Sequence, residues 1–478
     1  MTPIGSSSID VNGIVSQLMQ IEQRPLQALK KTVSGIETRL SAFGKLQSAL
    51  ASMQDAARTL TRADTWRAAT ATSSDETTLR ATAGTGVIPG GYTVEVGQLA
   101  QRQSLASHRF ADSAAVIGGG TLRIRMGTLD AAGTAFTPDA ARPEVAVAIA
   151  AGATLAEVRN AINAAGPDIG ITASLVADGT GQRLMLRSAG SGAPEAFAVA
   201  VDDADGGNGD ASGLSALAFD PAAASGSGRN LQLTQAAQDA HVTINGLEVT
   251  STTNRLTDVI ENLTLELRRT TTAPIDVSVD SDTAALRKSL DGFVEAWNAV
   301  NTLIADQVRF DPATKTAGVL QGNQTVVRVQ QQLREILRST VGTDAPNSLS
   351  ALGVELQRDG SLKVDDTRAG AALADPKKAQ AFFAAQGTTP GEPGGMARRV
   401  LASLDALLAS DGAISGATES LRARERSVAQ QEERLNARLN EIEKRLLRQY
   451  TALDANLTRM AGSLSSVQNL LAGLERPA

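Results

Sequence analysis

From Leu29 onward, apolar residues recur at alternating spacings of four and three: Leu29, Val33, Ile36, Leu40 and Phe43, then Leu46, Leu50, Met53, Ala57 and Leu60. This spacing predicts one long amphipathic helix. The consecutive spacings of three around Phe43 shift the phase of the stripe, as a stammer does in a coiled coil, and predict a bend or a change of packing partner there. The far end mirrors the pattern, with Leu435, Leu439, Ile442, Leu446, Tyr450, Leu453, Leu457, Met460, Leu464, Val467, Leu471 and Leu474 on one stripe. Both ends therefore call for helical partners. Charges of both signs between Glu419 and Arg448 crowd the opposite face and read as its solvated side. Ahead of Leu29, the residues Ile9, Val11, Ile14, Leu18 and Ile21 form a shorter stripe that stops at Pro25. Without an obvious local partner, this segment reads as disordered in the free chain and helical on binding. Gly462 and Gly473 weaken the last heptads, so the carboxyl end is expected to be poorly ordered as well.

Between the helical ends, from about Leu79 to Asp280, the period changes to two. The alternation predicts strands at Tyr92–Val96, Thr121–Met126, Glu144–Ala148, Ile171–Val176, Arg183–Arg187, Ala196–Val201, His241–Asn245, Leu247–Thr250, Leu263–Leu267 and Ile275–Val279. One helix interrupts them at Leu155–Ala165, opened by Thr154 and Glu157 at capping-box spacing. After Asp280 the helical period returns with Leu286, Leu290, Phe293, Trp297, Val300 and Ile304, followed by a helix from about Gln324 to Thr340. Val354–Val364 reads as a hairpin around Asp359-Gly360. Further helices start at Pro376 and at Met396, the latter running to Ala409, with a loop from Thr388 to Gly395 between them. The order helix, strands, helix means that two helical arms pair across the whole sequence around an inserted β region. The fold class is α+β and multidomain: an elongated helical leg and coiled-coil stalk built from both termini, with inserted β-rich head domains.

Composition narrows the function. The 478 residues carry 42% hydrophobic but only 3% aromatic side chains, which argues against a large aromatic-lined ligand pocket. A net charge of −6 leaves no basic excess for phosphates, so nucleic acid is excluded as a partner. No stretch approaches the ~20 apolar residues of a membrane span, and residues 1–25 lack the basic start and apolar run of a cleavable signal. Cysteine is absent, which removes disulfides, thiolate nucleophiles and thiolate metal sites. It also suits a chain threaded unfolded into an oxidising exterior. His108 and His241 stand far apart without companions at ligand spacing, so both read as structural. The acidic stretch Asp202–Asp210 fails the calcium-loop pattern: Gly207 and Asn208 fall where a ligand and a glycine belong, and no glutamate closes it. Gly44-Lys45 lacks the upstream glycine of a phosphate loop. The chemistry therefore points to a non-enzyme without cofactor or metal.

Particular motifs go further. Ile9-Asp10-Val11-Asn12-Gly13-Ile14-Val15, Leu18-Met19 and Glu22-Gln23-Arg24-Pro25-Leu26 resemble the start of the flagellar hook-associated protein 2 family, the filament caps. Pro89-Gly90-Gly91-Tyr92-Thr93-Val94-Glu95-Val96 with Gln98-Leu99-Ala100 is similar to that family's first head strand. Thr243-Ile244-Asn245-Gly246, Thr250-Ser251, Asn254, Thr257-Asp258-Val259-Ile260 and Leu263-Thr264-Leu265 resemble its return. Ala317-Gly318-Val319-Leu320 before Gly322-Asn323, Leu352-Gly353-Val354, Asp359-Gly360-Ser361-Leu362 and Tyr450-Thr451-Ala452-Leu453-Asp454 extend the likeness over nearly the whole chain. Residues 121–201, with Thr154-Leu155 and Ala161-Ile162-Asn163-Ala164, are similar to the hook IN motif shared by flagellins and caps.

The resemblance implies a protein secreted by flagellar type III export to the distal filament tip, where several copies form a ring, commonly described as pentameric, that guides flagellin and prevents its loss. Its implied partners are flagellin, hook-filament junction proteins, a dedicated flagellar export chaperone and other copies of the chain. The implied segments are 1–40, a disordered or helical terminal segment; 41–78, a leg helix; 79–110 and 230–280, an inner β head domain; 111–229, an outer head domain with the hook IN-like motif; 281–434, a helical leg domain with the hairpin; and 435–478, a coiled-coil segment. Contact with filament or junction subunits is assigned to Ile14, Leu18 and Ile21 near the start and to Leu453, Leu457, Met460, Leu464 and Val467 near the end. The alternative for each of these residues is packing within the chain's own coiled coil. A flagellin or junction protein, which should lack the Ile244-Asn245-Gly246 return and the Asp359-Gly360 hairpin, and a tip adhesin binding host mucin are the competing readings.

Overall fold

The computed structural model describes residues 10–313, 315–342, 346–387 and 394–474, which fall into two compact units. One joins the chain up to Trp66 with everything from Ala284; the other is 67–283. The first unit opens with α1 (Val11–Glu22), α2 (Arg24–Thr61) and the short α3 (Ala63–Trp66). α1 is helical in the free chain, against the expectation of disorder, because its apolar residues find cover at the far end of the sequence. α2 runs through residues 40 and 41 without interruption, so the stripe's phase shift at Phe43 does not break the helix. From Ala42 on, its buried residues join the main helical core.

The inserted unit contains β1 (Ala69–Ser73), β2 (Leu79–Ala83), β3 (Gly90–Gln98), β4 (Ser104–Ala106), β5 (Val116–Leu129), β6 (Phe136–Pro138), β7 (Val145–Thr154), α4 (Leu155–Ile169), β8 (Ile171–Ala177), β9 (Gln182–Ser188) and β10 (Ala196–Asp203). It continues with β11 (Gln232–Gln235), β12 (Ala240–Ile244), β13 (Leu247–Ser251), β14 (Arg255–Ile260), β15 (Leu263–Leu267) and β16 (Ile275–Ser281). A five-stranded sheet β1-β16-β3-β12-β13 and a three-stranded sheet β14-β15-β2 supply one core, with Leu79, Val94, Val96, Val242, Leu263 and Val277 inside. A second core, holding Leu122, Ile124, Leu155, Ile162, Leu186 and Phe197, is built from β10-β5-β6 with β7 on β5, from β11-β4-β9-β8, and from α4. All strand pairs are antiparallel, which suits strands that alternate buried and exposed positions.

Local chemistry explains several joints. Thr154 and Glu157 form the reciprocal capping box of α4, and Gly170, at φ +80°, ends that helix after Pro167, two turns' worth of backbone bonds having already formed. Asn245 and Gly246 take positive φ values of 49° and 83° as the two-residue turn between β12 and β13, so β12 stops at Ile244 and Asn245 lies outside the strand. The side-chain oxygen of Asn245 accepts the Thr93 N–H at 2.8 Å, which ties that turn to β3.

The chain then returns to the first unit through α5 (Thr283–Val308), the small pair β17 (Phe310–Asp311) and β18 (Thr316–Ala317), α6 (Gln324–Arg338), the hairpin β19 (Val354–Leu356) and β20 (Leu362–Val364), α7 (Asp366–Leu373), α8 (Pro376–Ala384), α9 (Met396–Leu408) and α10 (Ala413–Leu474). Phe43, Leu46, Leu50 and Met53 of α2, Phe293 and Trp297 of α5, Leu333 of α6, Phe382 and Phe383 of α8, and Leu404 of α9 share one core. Each such side chain contributes about 1.5–3 kcal/mol by leaving water. The hairpin is pinned to α5: the Trp297 indole N–H donates to the Gly360 carbonyl at 2.8 Å, and Asn298 both donates to and accepts from the Leu362 backbone. Gly360 sits at φ +86°, a left-handed conformation that favours glycine at this tip, with the Arg334 guanidinium and the Asn301 side chain close by.

By length and composition the helical stretch Met396–Val467 is apolar enough to cross a membrane, contrary to the reading of the sequence. It is two helices, interrupted between Leu408 and Ala413, and Val400, Leu404, Leu407 and Ile414 are buried in the unit's own core.

Candidate functional site

The terminal helices meet in a small seam of their own. Asp10 caps α1 by accepting the Gly13 N–H at 2.9 Å. Val15 and Met19 are buried against Leu439 of α10, with Val11, Leu26, Leu435, Ile442, Leu446 and Tyr450 partly buried around them. The seam therefore uses the Val11, Val15, Met19 face of α1, a second i, i+4, i+8 stripe that the choice of branched aliphatics at Ile14, Leu18 and Ile21 passed over. Ile14 and Leu18 are half-buried, outside the seam, and Ile21 is 57% exposed.

Past Tyr450 no cluster of described residues covers the helix. Leu453, Leu457, Met460, Leu464 and Val467 are between 42% and 62% exposed. Their 4-3-4-3 spacing keeps them on one face of α10, and no charged residue occurs from Met460 to Val467. The helix runs on through Leu474 despite Gly462, so the expected loss of order at this end is not what the structure has. Earlier on α10 the exposed surface is charged and locally paired, as in Arg426–Glu419 at 2.9 Å and Lys444–Glu441 at 3.4 Å. This leaves a contiguous apolar stripe on a solvent-facing helix, uncharged from Met460 to Val467.

The polar candidates gather no catalytic constellation among the described residues, and no group of three or more His, Asp or Glu is placed to hold a metal ion there. His108 packs on Phe110 at 4.2 Å, and its pKa is lowered by burial and by the nearby Arg183 charge. His241 faces Thr250 across the β12–β13 pair. The carboxylates of the 202–210 loop serve its own backbone: Asp203 accepts the Ser215 N–H at 2.8 Å, Asp205 the Gly207 N–H at 2.8 Å and Asp210 the Ser212 N–H at 2.9 Å. Asp178 is held well below the usual carboxylate range by hydrogen bonds from Arg109 and Thr180, an arrangement that closes the β8–β9 turn.

Sequence models described as flagellar hook-associated protein 2 N-terminus and C-terminus match residues 7–103 and 237–462. The flagellin hook IN motif matches residues 128–190. The A-type flagellar hook-associated protein 2 of Pseudomonas aeruginosa is 32% identical, over 98% of this chain and 97% of that protein. The chain belongs to the flagellar hook-associated protein 2 family. Another member, from Escherichia coli K12, is 27% identical over 96% of this chain and 95% of its own. The solved D1-D2-D3 domains of the Escherichia coli flagellar cap protein FliD superpose with a TM-score of 0.61 at 28% identity, covering 80% of this chain and 99% of that one. Membership supports a filament-cap role for a protein of mixed helix and sheet with several domains.

Proposed function

We propose that this protein caps the distal end of the flagellar filament as a ring of several copies, sheltering arriving flagellin while it folds and inserts, and so preventing its loss. The observation that carries the reading is the uncovered stripe Leu453, Leu457, Met460, Leu464 and Val467 on the last helix of a cap-family chain. Leucine-rich helical faces of this spacing pair with other helices, and filament and junction subunits are the helical partners proposed for it. Ile14, Leu18 and Ile21, which lie outside the α1–α10 seam, are proposed for the same contact. The mechanism needs no covalent step: a ring mismatched to the filament leaves one position open, and ordering of the new subunit drives the ring onward. Delivery by flagellar type III export with a dedicated chaperone, and residence at the tip, belong to this proposal.

Immunogold labelling of filaments with the full chain tests it. Signal confined to the distal tip, with flagellin monomers in the medium of cells lacking the protein, is the expected result. Signal along the shaft, or filaments of normal length without the protein, overturns it.

A further inference from the structure

Where the two β cores of the inserted unit join, the chain crosses twice, and the crossing is firmly made. Gln101 and Gln238 exchange backbone hydrogen bonds at 2.8 and 3.2 Å. Asn254 accepts from the Ala100 N–H at 2.7 Å and donates to the Ala100 carbonyl at 2.9 Å, and Ser191 donates to the Thr252 carbonyl at 2.9 Å. Beside these bonds lies a cleft of about 450 Å³ whose walls bring together Arg102, Arg187 and Arg255 with the amides of Gln101, Gln235 and Asn254.

The charge in this cleft is not balanced from within. Of the unit's eleven other arginines, six, Arg109, Arg123, Arg125, Arg142, Arg183 and Arg268, are ion-paired with a carboxylate. Among the described residues, no ion pair or side-chain hydrogen bond holds the guanidinium of Arg102, Arg187 or Arg255. One carboxylate lines the cleft, Glu266, and although it stands directly across the strand pair from Arg255, it is bonded to Arg268 at 3.3 Å. The three cations come from three segments: the crossing itself, β9 of one core and β14 of the other. A net positive cleft in a chain of net charge −6 is a local feature with a local reason.

We propose that this cleft is a binding site for a small ligand carrying two or more carboxylate or phosphate groups. Guanidinium forks grip the paired oxygens of such groups, and the three exposed arginines are free to turn toward them. The amides of Asn254, bonded to Ala100, and of Gln235 and Gln101, bonded to each other, hold the wall of the cleft in place beside the arginines. No aromatic side chain lines the cleft, so a nucleobase or the flat face of a sugar has nothing to stack on. Because Arg187 and Arg255 belong to different cores, a bound oligoanion bridges them and stiffens the joint.

Isothermal titration of the full chain with citrate, and separately with pyrophosphate, at constant ionic strength tests this. One of the two probes binds saturably, one per chain. Arg187→Gln weakens that binding at least tenfold, and Arg102→Gln with Arg255→Gln abolishes it. Arg159→Gln, on α4 outside the cleft, leaves it unchanged, and an unaltered circular dichroism melt shows that the variants fold. Heat that does not saturate for either probe, or equal binding by wild type and Arg187→Gln, overturns the proposal. So does a change in sedimentation of the arginine variants with anion binding intact, which assigns these arginines to a second copy of the chain.

Discussion

Ile414, Val428 and Leu439, on the first part of α10, are buried, whereas Leu453, Leu457, Met460, Leu464 and Val467, on the same helix and in the same phase, lie open to solvent. Between them the spacing slips once, with two consecutive steps of four from Ile442 through Leu446 to Tyr450, but the apolar residues stay on one broad face of the helix. What changes is the cover: α2 and α9 pack along the first part and α1 along the seam around Leu439, and beyond Tyr450 no described residue packs on the stripe. Periodicity therefore specifies a face that wants burial, while the rest of the fold decides whether the molecule buries it alone. The uncovered remainder is the surface that the proposed contact with another molecule would bury.

Four substitutions probe that contrast, beginning with the largest effect. Leu439→Ala removes the centre of the α1–α10 seam and costs about 2–5 kcal/mol of local stability. Faster amide exchange throughout α1 reports it, and unchanged protection of α1 would show that the seam does not hold that helix. Leu457→Asp places a charge on the open stripe. Its effect on thermal unfolding stays within about 0.5 kcal/mol, while binding to filament ends falls tenfold or more, about 1.4 kcal/mol. A sharp loss of stability with capping retained would make the stripe part of an internal core. Gly462→Ala meets no atom within 4 Å and raises helix propensity by up to about 1 kcal/mol. Exchange protection rises on both sides of residue 462; if it does not, the terminal helix is limited by something other than this glycine. Smallest is the charged face: breaking the exposed Arg426–Glu419 pair with Glu419→Gln shifts the melt by no more than about 0.5 kcal/mol. A larger shift would mean that the face is covered by a partner after all.

Much of the architecture was legible because local rules and tertiary packing agree. The ten strands read from alternation are present, as are the capping box at Thr154 and Glu157 and the hairpin tip at Asp359-Gly360, whose residues have few other uses. The misses share a cause. β1 is Ala-Thr-Ala-Thr-Ser and β2 Leu-Arg-Ala-Thr-Ala, with too few large apolar residues to mark alternation; β4, β6 and β11 are three or four residues long, too short for a period to show; and β14, Arg255–Ile260, has an irregular register with β15 and a single buried residue, so no alternation marks it. The stripe on α10 was readable residue by residue, but its exposure depends on which segments reach it. That Val15 and Met19 meet Leu439 is a contact across almost the whole chain, and the three arginines of the cleft come from segments that only the folded unit brings together.

The entry and exit of the inserted unit carry a consequence for the order of folding. β1 and β16 are antiparallel partners from Ala69 opposite Ser281 onward, and the Asp282 N–H donates to the Ala68 carbonyl at 2.9 Å, so the unit's two ends lie side by side. Until that pairing forms, α2 and α5 are separated by a loop of roughly 200 residues, whose closure costs about 3–4 kcal/mol more than that of a tight turn. Once the β unit has folded, its paired first and last strands have already closed that loop. The helical core then assembles as though the strands between its arms were a short link, which makes the β unit the natural first step and the joining of α2 and α5 in one core the dependent one.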